Sequence, residues 1–229
     1  MRTAVCWKVG ITLLVSLISA AGCTGLPSIG DTGEMPLLFQ ADFEDGSLEA
    51  WEATDPAAWR IEEAHGGKVL AQFKQSDYKP PVRSPLNINF IRDVEVRSFE
   101  LDLKMRSTTK DYGHRDLCLF FAYRDPSHFY YVHIANTADA HANSIFIVDG
   151  RPRVSIAETR TGGTKWDDNW HTVRLVRDVN KATIEVFFDD NPEPIMTAFN
   201  SLMVWGEVGV GSFDDTGQFD DIHLRGIPR

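Results

Sequence analysis

His128-Phe129-Tyr130-Tyr131-Val132-His133-Ile134-Ala135-Asn136 alternates with a period of two. An extended chain sends successive side chains to opposite faces, so Tyr130, Val132 and Ile134 share one face and Phe129, Tyr131 and His133 the other. The first face suits a core. The second holds two rings with polar handles, next to a loop, Asn136 to Asn143, dense in donors and acceptors. A strand aromatic on both faces is either buried between layers or floors a groove.

The neighbouring segments follow the same grammar. Leu117 to Tyr123 is apolar on both faces, as a central strand covered twice would be, and Asp125-Pro126-Ser127 turns the chain between the two. Ser144 to Val148 and Pro152 to Ala157 flank Asp149-Gly150, a strong hairpin dipeptide. Upstream, Trp59 to Glu63 and Lys68 to Phe73 flank Gly66-Gly67, and Val94 to Met105 alternates again. Downstream come Trp170 to Arg177, Ala182 to Phe188, Glu207 to Phe213 and Gln218 to Leu224, with Asp214-Asp215-Thr216-Gly217 expected as a last hairpin turn. About a dozen short strands, with no amphipathic helix after the N-terminal leader, predict an all-β sandwich or barrel.

The chain has 229 residues. It opens with Arg2 and Lys8, an apolar run from Ile11 to Ala21, and Gly22-Cys23. A basic start, a short apolar region and small residues before a cut describe an export signal rather than a membrane span. Ile18-Ser19-Ala20-Ala21-Gly22-Cys23 resembles a bacterial lipobox, with Ala20 where leucine is usual, which implies lipidation at Cys23. Residues 1–22 are thus the expected signal, 23–36 a Gly- and Pro-rich tether, and 37–229 one folded domain. Cleavage leaves 207 residues with 21 bases against 33 acids. That balance argues against nucleic acid and anionic membrane as partners, the lipid anchor apart. Cys118 is then the lone thiol of the domain, which rules out an internal disulfide framework. Its apolar surroundings suit a small buried hydrophobe better than a nucleophile.

Trp170-His171-x-Val173-Arg174-Leu175, Ile184-x-Val186-Phe187-Phe188-Asp189 and Gly209-x-Gly211-Ser212-Phe213 together resemble the strand series of concanavalin A-like lectin/glucanase jelly rolls. That group includes laminin G-type domains and exported bacterial modules that bind or cleave sugars. The likeness spans residues 37–226 and implies a two-sheet antiparallel jelly-roll β-sandwich. It also implies a carbohydrate partner on a concave sheet face. In such modules an acidic opening strand and a closing strand share a structural calcium. Asp42, Glu44, Asp220 and Asp221 are the matching ligands here, since hard cations need several oxygens.

The groove set comprises His114, Arg115, Tyr131, His133, His141, Asn143, Arg160 and Trp166. Aromatic faces pack on sugar C–H surfaces, and bidentate donors and acceptors take hydroxyls or carboxylates. An enzyme on the same face would be a lyase or hydrolase, with Tyr131 and His133 as its acid and base. The paired-carboxylate glucanase run Glu-x-Asp-x-x-Glu is missing, because Glu100-Leu101-Asp102 is followed by Met105 where the second glutamate belongs. Three histidines, His114, His133 and His141, could hold zinc, although their spacing matches no zinc motif.

Overall fold

The computed structural model describes residues 35–64 and 66–229. The segments expected to be the signal, the lipobox with Cys23 and the tether up to residue 34 lie outside the described residues. Fifteen strands follow in order: β1 Leu37–Ala41, β2 Trp51–Ala53, β3 Trp59–Ala64, β4 Gly67–Gln72, β5 Asn87–Ser107, β6 Asp116–Asp125, β7 His128–Ala135 and β8 Ser144–Asp149. Then come β9 Val154–Ser155, β10 Ala157–Arg160, β11 His171–Asp178, β12 Thr183–Phe188, β13 Met196–Phe199, β14 Gly206–Ser212 and β15 Gly217–Pro228. The one helical segment among the described residues is a 3-10 turn at Pro56–Ala58, capped by the Asp55 side chain.

β5 organises the molecule. Its first half pairs with β14 and β2, its second half with β11 and β15. One layer therefore runs β2-β5-β14-β6-β7-β8-β9, and the other β10-β13-β12-β11-β5-β15, with β1 and β4 on β15. Asp93, at a φ of 59°, lies where the pairing with β14 shifts register between the two halves. An irregularity at such a point lets one strand serve two sheets. The strand pairings among the described residues are antiparallel, as the alternating pattern suggests. The result is the expected two-sheet antiparallel jelly-roll sandwich.

Tyr130, Val132 and Ile134 pack inward with Leu117, Leu119 and Phe121 of β6, against Leu101, Leu103, Val173 and Leu175 of the facing layer. The period-two reading of the β7 stretch thus has the right phase. β6 and β7 meet at a tight turn where Asp125 pairs with His128, and β8 turns into β9 through Gly150 at a φ of 65°. Residues 213–216 differ from expectation. They do not close a hairpin: β14 and β15 belong to different layers, and the segment crosses between them.

Candidate functional site

The outer face of β14-β6-β7-β8 is where an open groove was expected. It is filled instead. Ile88, Phe90, Cys118, Phe120, Phe129, Tyr131, Phe146 and Val148 form a second apolar cluster, with Val82, Tyr123 and Phe213 laid over it. The Arg153 guanidinium closes the cover, 4.0 Å from the Phe213 ring centroid. Tyr131 is 0 % exposed and His133 3 %. Of the two fates open to a doubly aromatic strand, burial between layers is the one taken. A binding or acid–base pair must touch its substrate, and here both side chains are buried.

Beneath this cover sits a small polar group. Asp116 and Cys118, two apart on β6, point the same way, and His133 stands directly across from Cys118 on β7. Cys118 Sγ lies 3.3 Å and His133 Nε2 3.4 Å from Asp116 Oδ2. The same oxygen accepts the Phe213 N–H, and the Asn143 N–H donates to His133 Nδ1 at 3.2 Å. Burial, with Arg153 nearby, pushes His133 down to about 3, so the ring is neutral. Burial raises the Asp116 carboxyl well above the usual range. Cys118 is the inert buried residue the sequence suggested, but its neighbours are not all apolar.

The remaining groove candidates gather at one end of the sandwich, in the loops after β5, β7 and β10. Arg160 donates to the carbonyls of Asp139, Ala142 and Asn143. Asn143, fully buried, donates through Nδ2 to the Thr161 carbonyl and accepts from Thr164 through Oδ1. His114 pairs with Asp139 at 2.7 Å, and His141 is exposed. Trp166 is buried, its Nε1 donating to the Ile134 carbonyl at 2.9 Å. Arg115, 2 % exposed, ties Ser107 to Asp167 O and Asp168. The loops are therefore assembled by the expected residues, but mostly through contacts with one another. His114, His133 and His141 do not converge as a zinc triad.

Beside this clamp lies a cleft of about 700 Å³. Arg106, Lys110 and Arg115 line it with Asp111, Asp167 and Asp168, together with Thr108, Thr109 and the edge of Trp166. Asn136 holds its wall, donating to Asp111 Oδ1 at 2.6 Å and accepting the Trp166 N–H at 2.9 Å. The sequence offered Arg115 and Trp166. It did not offer Arg106 to Asp111, which read only as strand end and polar loop. A smaller cleft of about 450 Å³ at the β2 end, lined by Trp51, Trp59, Asn89 and Arg92, was also missed.

The acidic ends of the domain do meet, since β1 pairs with β15 and Ala41 faces Ile222. Each of their carboxylates makes a contact of its own. Asp221 takes Lys104 Nζ at 2.7 Å, Glu44 accepts the Lys68 N–H, Asp42 accepts the Glu44 N–H, and Asp220 accepts the Asp221 N–H. Among the described residues, the sets of three with ligand atoms within 4.8 Å of one another are Asp116/Cys118/His133 and Asp116/Asp214/Asp215. The set expected for calcium is not among them.

No protein-family model matches the sequence, and no curated protein matches it. Solved structures share its fold. A carbohydrate-binding module, CBM66 of Bacillus subtilis, is 14 % identical with a TM-score of 0.54, covering 77 % of this chain and 96 % of that one. The winged bean acidic lectin, solved with methyl-α-D-galactose, is 13 % identical with a TM-score of 0.58, covering 83 % and 98 %. A GH43 protein of Bacillus licheniformis is 13 % identical with a TM-score of 0.54, covering 88 % of this chain and 41 % of its own. At this identity the likeness is one of fold: a lectin-like jelly roll.

Proposed function

We propose that this protein is an exported, Cys23-lipidated carbohydrate-binding jelly roll that takes a neutral glycan in the loop-end cleft. The observation that carries the proposal is the lining of that cleft. Three cationic and three anionic side chains share it with two threonine hydroxyls, on a chain whose formal net charge is −10. A locally balanced wall of carboxylates, guanidinium and hydroxyls suits vicinal sugar hydroxyls, which both donate and accept. It gives a polyanion no net attraction. The volume is within the range of small-ligand sites, about 300–1,000 Å³. Two fold neighbours, a carbohydrate-binding module and a lectin solved with a bound galactoside, agree with this use of the fold. A lyase or hydrolase built on Tyr131 and His133 draws no support from two enclosed side chains.

Isothermal titration against neutral oligosaccharides and uronate-containing polymers tests the proposal. Binding of a neutral glycan, weakened in Lys110→Ala and without new unsaturated ends, is expected. No heat with any neutral glycan would overturn it.

A further inference from the structure

The cleft at the β2 end is built on two indoles. Trp51 opens β2, and Trp59 opens β3 just past the turn at Pro56–Ala58. Both rings are seated by the core. Trp51 lies 5.6 Å from the Phe39 ring and 5.7 Å from Phe43, and Trp59 lies 6.0 Å from Phe219. Leu48 and Pro56 add apolar wall, and the exposed Glu52 and Arg92 stand at the rim with opposite charges. Arg92 is held there by its Nη2, which donates to the Trp51 carbonyl at 2.9 Å. The cleft holds about 450 Å³, inside the small-ligand range of about 300–1,000 Å³.

Two polar atoms of this lining serve no purpose in the fold. Trp59 Nε1, a donor, and Asn89 Oδ1, an acceptor, are both buried without a hydrogen-bond partner. Asn89 is 1 % exposed and sits on β5 opposite Ala53 of β2. It shares a strand face with Ile91, a core residue, and asparagine is a poor strand former where valine would pack. Buried indole N–H and amide groups ordinarily find partners, and leaving them unpaired is costly. An apolar cleft with a few placed polar groups is the pattern of a small-ligand site.

We propose that this cleft is a second binding site, separate from the loop-end cleft, for the acetamido group of an N-acetylated sugar. A secondary amide carries what the lining lacks. Its carbonyl accepts the Trp59 Nε1–H, its N–H donates to Asn89 Oδ1, and its methyl packs against the indoles and Leu48. A fully hydroxylated sugar face fits worse, because its further hydroxyls would be left unpaired against apolar walls. The sugar ring stays at the rim, where Glu52 accepts from its hydroxyls and Arg92 donates to them. Acetylated lysine carries the same amide, and the choice of a sugar rests on the carbohydrate-binding reading above.

The test titrates the full chain with N-acetylglucosamine, glucose and Nε-acetyl-lysine, following tryptophan emission and heat. N-acetylglucosamine should shift the emission saturably and bind about tenfold or more tightly than the other two. Asn89→Leu, shown by circular dichroism to be folded, should lose that preference. It should also melt no lower than the parent, because it removes an unpaired acceptor. If it does not fold, Trp59→Phe takes its place, and the order of the three ligands on the unaltered protein is decisive without either. Lys110→Ala should leave the response intact, which separates this site from the loop-end cleft. No response to N-acetylglucosamine, or one that a folded Asn89→Leu retains, would overturn the proposal even where a neutral glycan binds through Lys110. Nε-acetyl-lysine binding as tightly as the sugar would overturn the assignment to a sugar.

Discussion

Tyr131 stacks on Phe146 across β7 and β8, with ring centroids 5.1 Å apart and planes inclined by 13°. Phe120, on the neighbouring strand β6, stacks on its other side, with centroids 6.0 Å apart. The ring is thus part of a second apolar layer, and its hydroxyl is buried without a hydrogen-bond partner. Removing a buried, unpaired hydroxyl relieves a desolvation cost. Tyr131→Phe is expected to leave stability unchanged or raise it by up to about 1 kcal/mol, read from urea denaturation. Glycan binding should be unaffected. A large loss of either would show that the hydroxyl has a role this arrangement does not provide.

Trp166 joins the loop cluster to the core. Its indole N–H reaches the Ile134 carbonyl at the end of β7, and its ring meets His171 and Phe188 edge-on. Trp166→Phe keeps most of the apolar volume but strands that carbonyl. The expected cost is about 1–3 kcal/mol, with weaker glycan binding because the wall at Asp167 and Asp168 loses its anchor. Equilibrium unfolding and titration of the same variant check both. Full stability in Trp166→Phe would mean that the bond to Ile134 contributes nothing.

Glu207 gives the pH dependence a sign. Burial, followed by repulsion from Glu52, Glu95 and Asp93, raises its carboxyl above the usual 4.5. The folded state therefore holds this proton more tightly than the unfolded chain does. Its contribution is present below the unfolded pKa and is lost as pH rises through the raised folded value. Glu207→Gln should stabilise the protein at pH 7 by less than about 1 kcal/mol, since the site is only partly buried. It should also flatten the Tm profile above pH 4.5. An unchanged profile would contradict the assignment.

The alternation in His128–Asn136 fixed which side chains face the core, because a period of two leaves no choice once one face is buried. Turns at Pro126-Ser127 and Gly150 were equally legible, since proline and a positive φ leave marks in sequence. What covers the opposite face was not. The lid comes from Val82, Arg153 and Phe213, far apart in the chain, and nothing local announces that they converge. Asp215 shows the same limit. Its sequence reads as a turn, yet its carboxylate accepts the Asp116 N–H at 2.7 Å and the Tyr112 hydroxyl at 3.0 Å. The loop residues His114, Arg115, Asn143, Arg160 and Trp166 were found by type, but their hydrogen bonds mostly serve one another. The open cleft lies one step further, at Arg106 to Asp111.

The most direct test of glycan binding is calorimetric titration of the protein with a panel of neutral oligosaccharides, repeated on Lys110→Ala. Lys110 is exposed at the cleft, so the variant should fold unchanged. Saturable binding of at least one neutral glycan is expected, weakened about tenfold by the substitution, or 1.4 kcal/mol. Absence of binding across the panel, or binding that Lys110→Ala leaves intact while Tyr131 and His133 substitutions abolish it, would contradict a glycan site in the loop-end cleft.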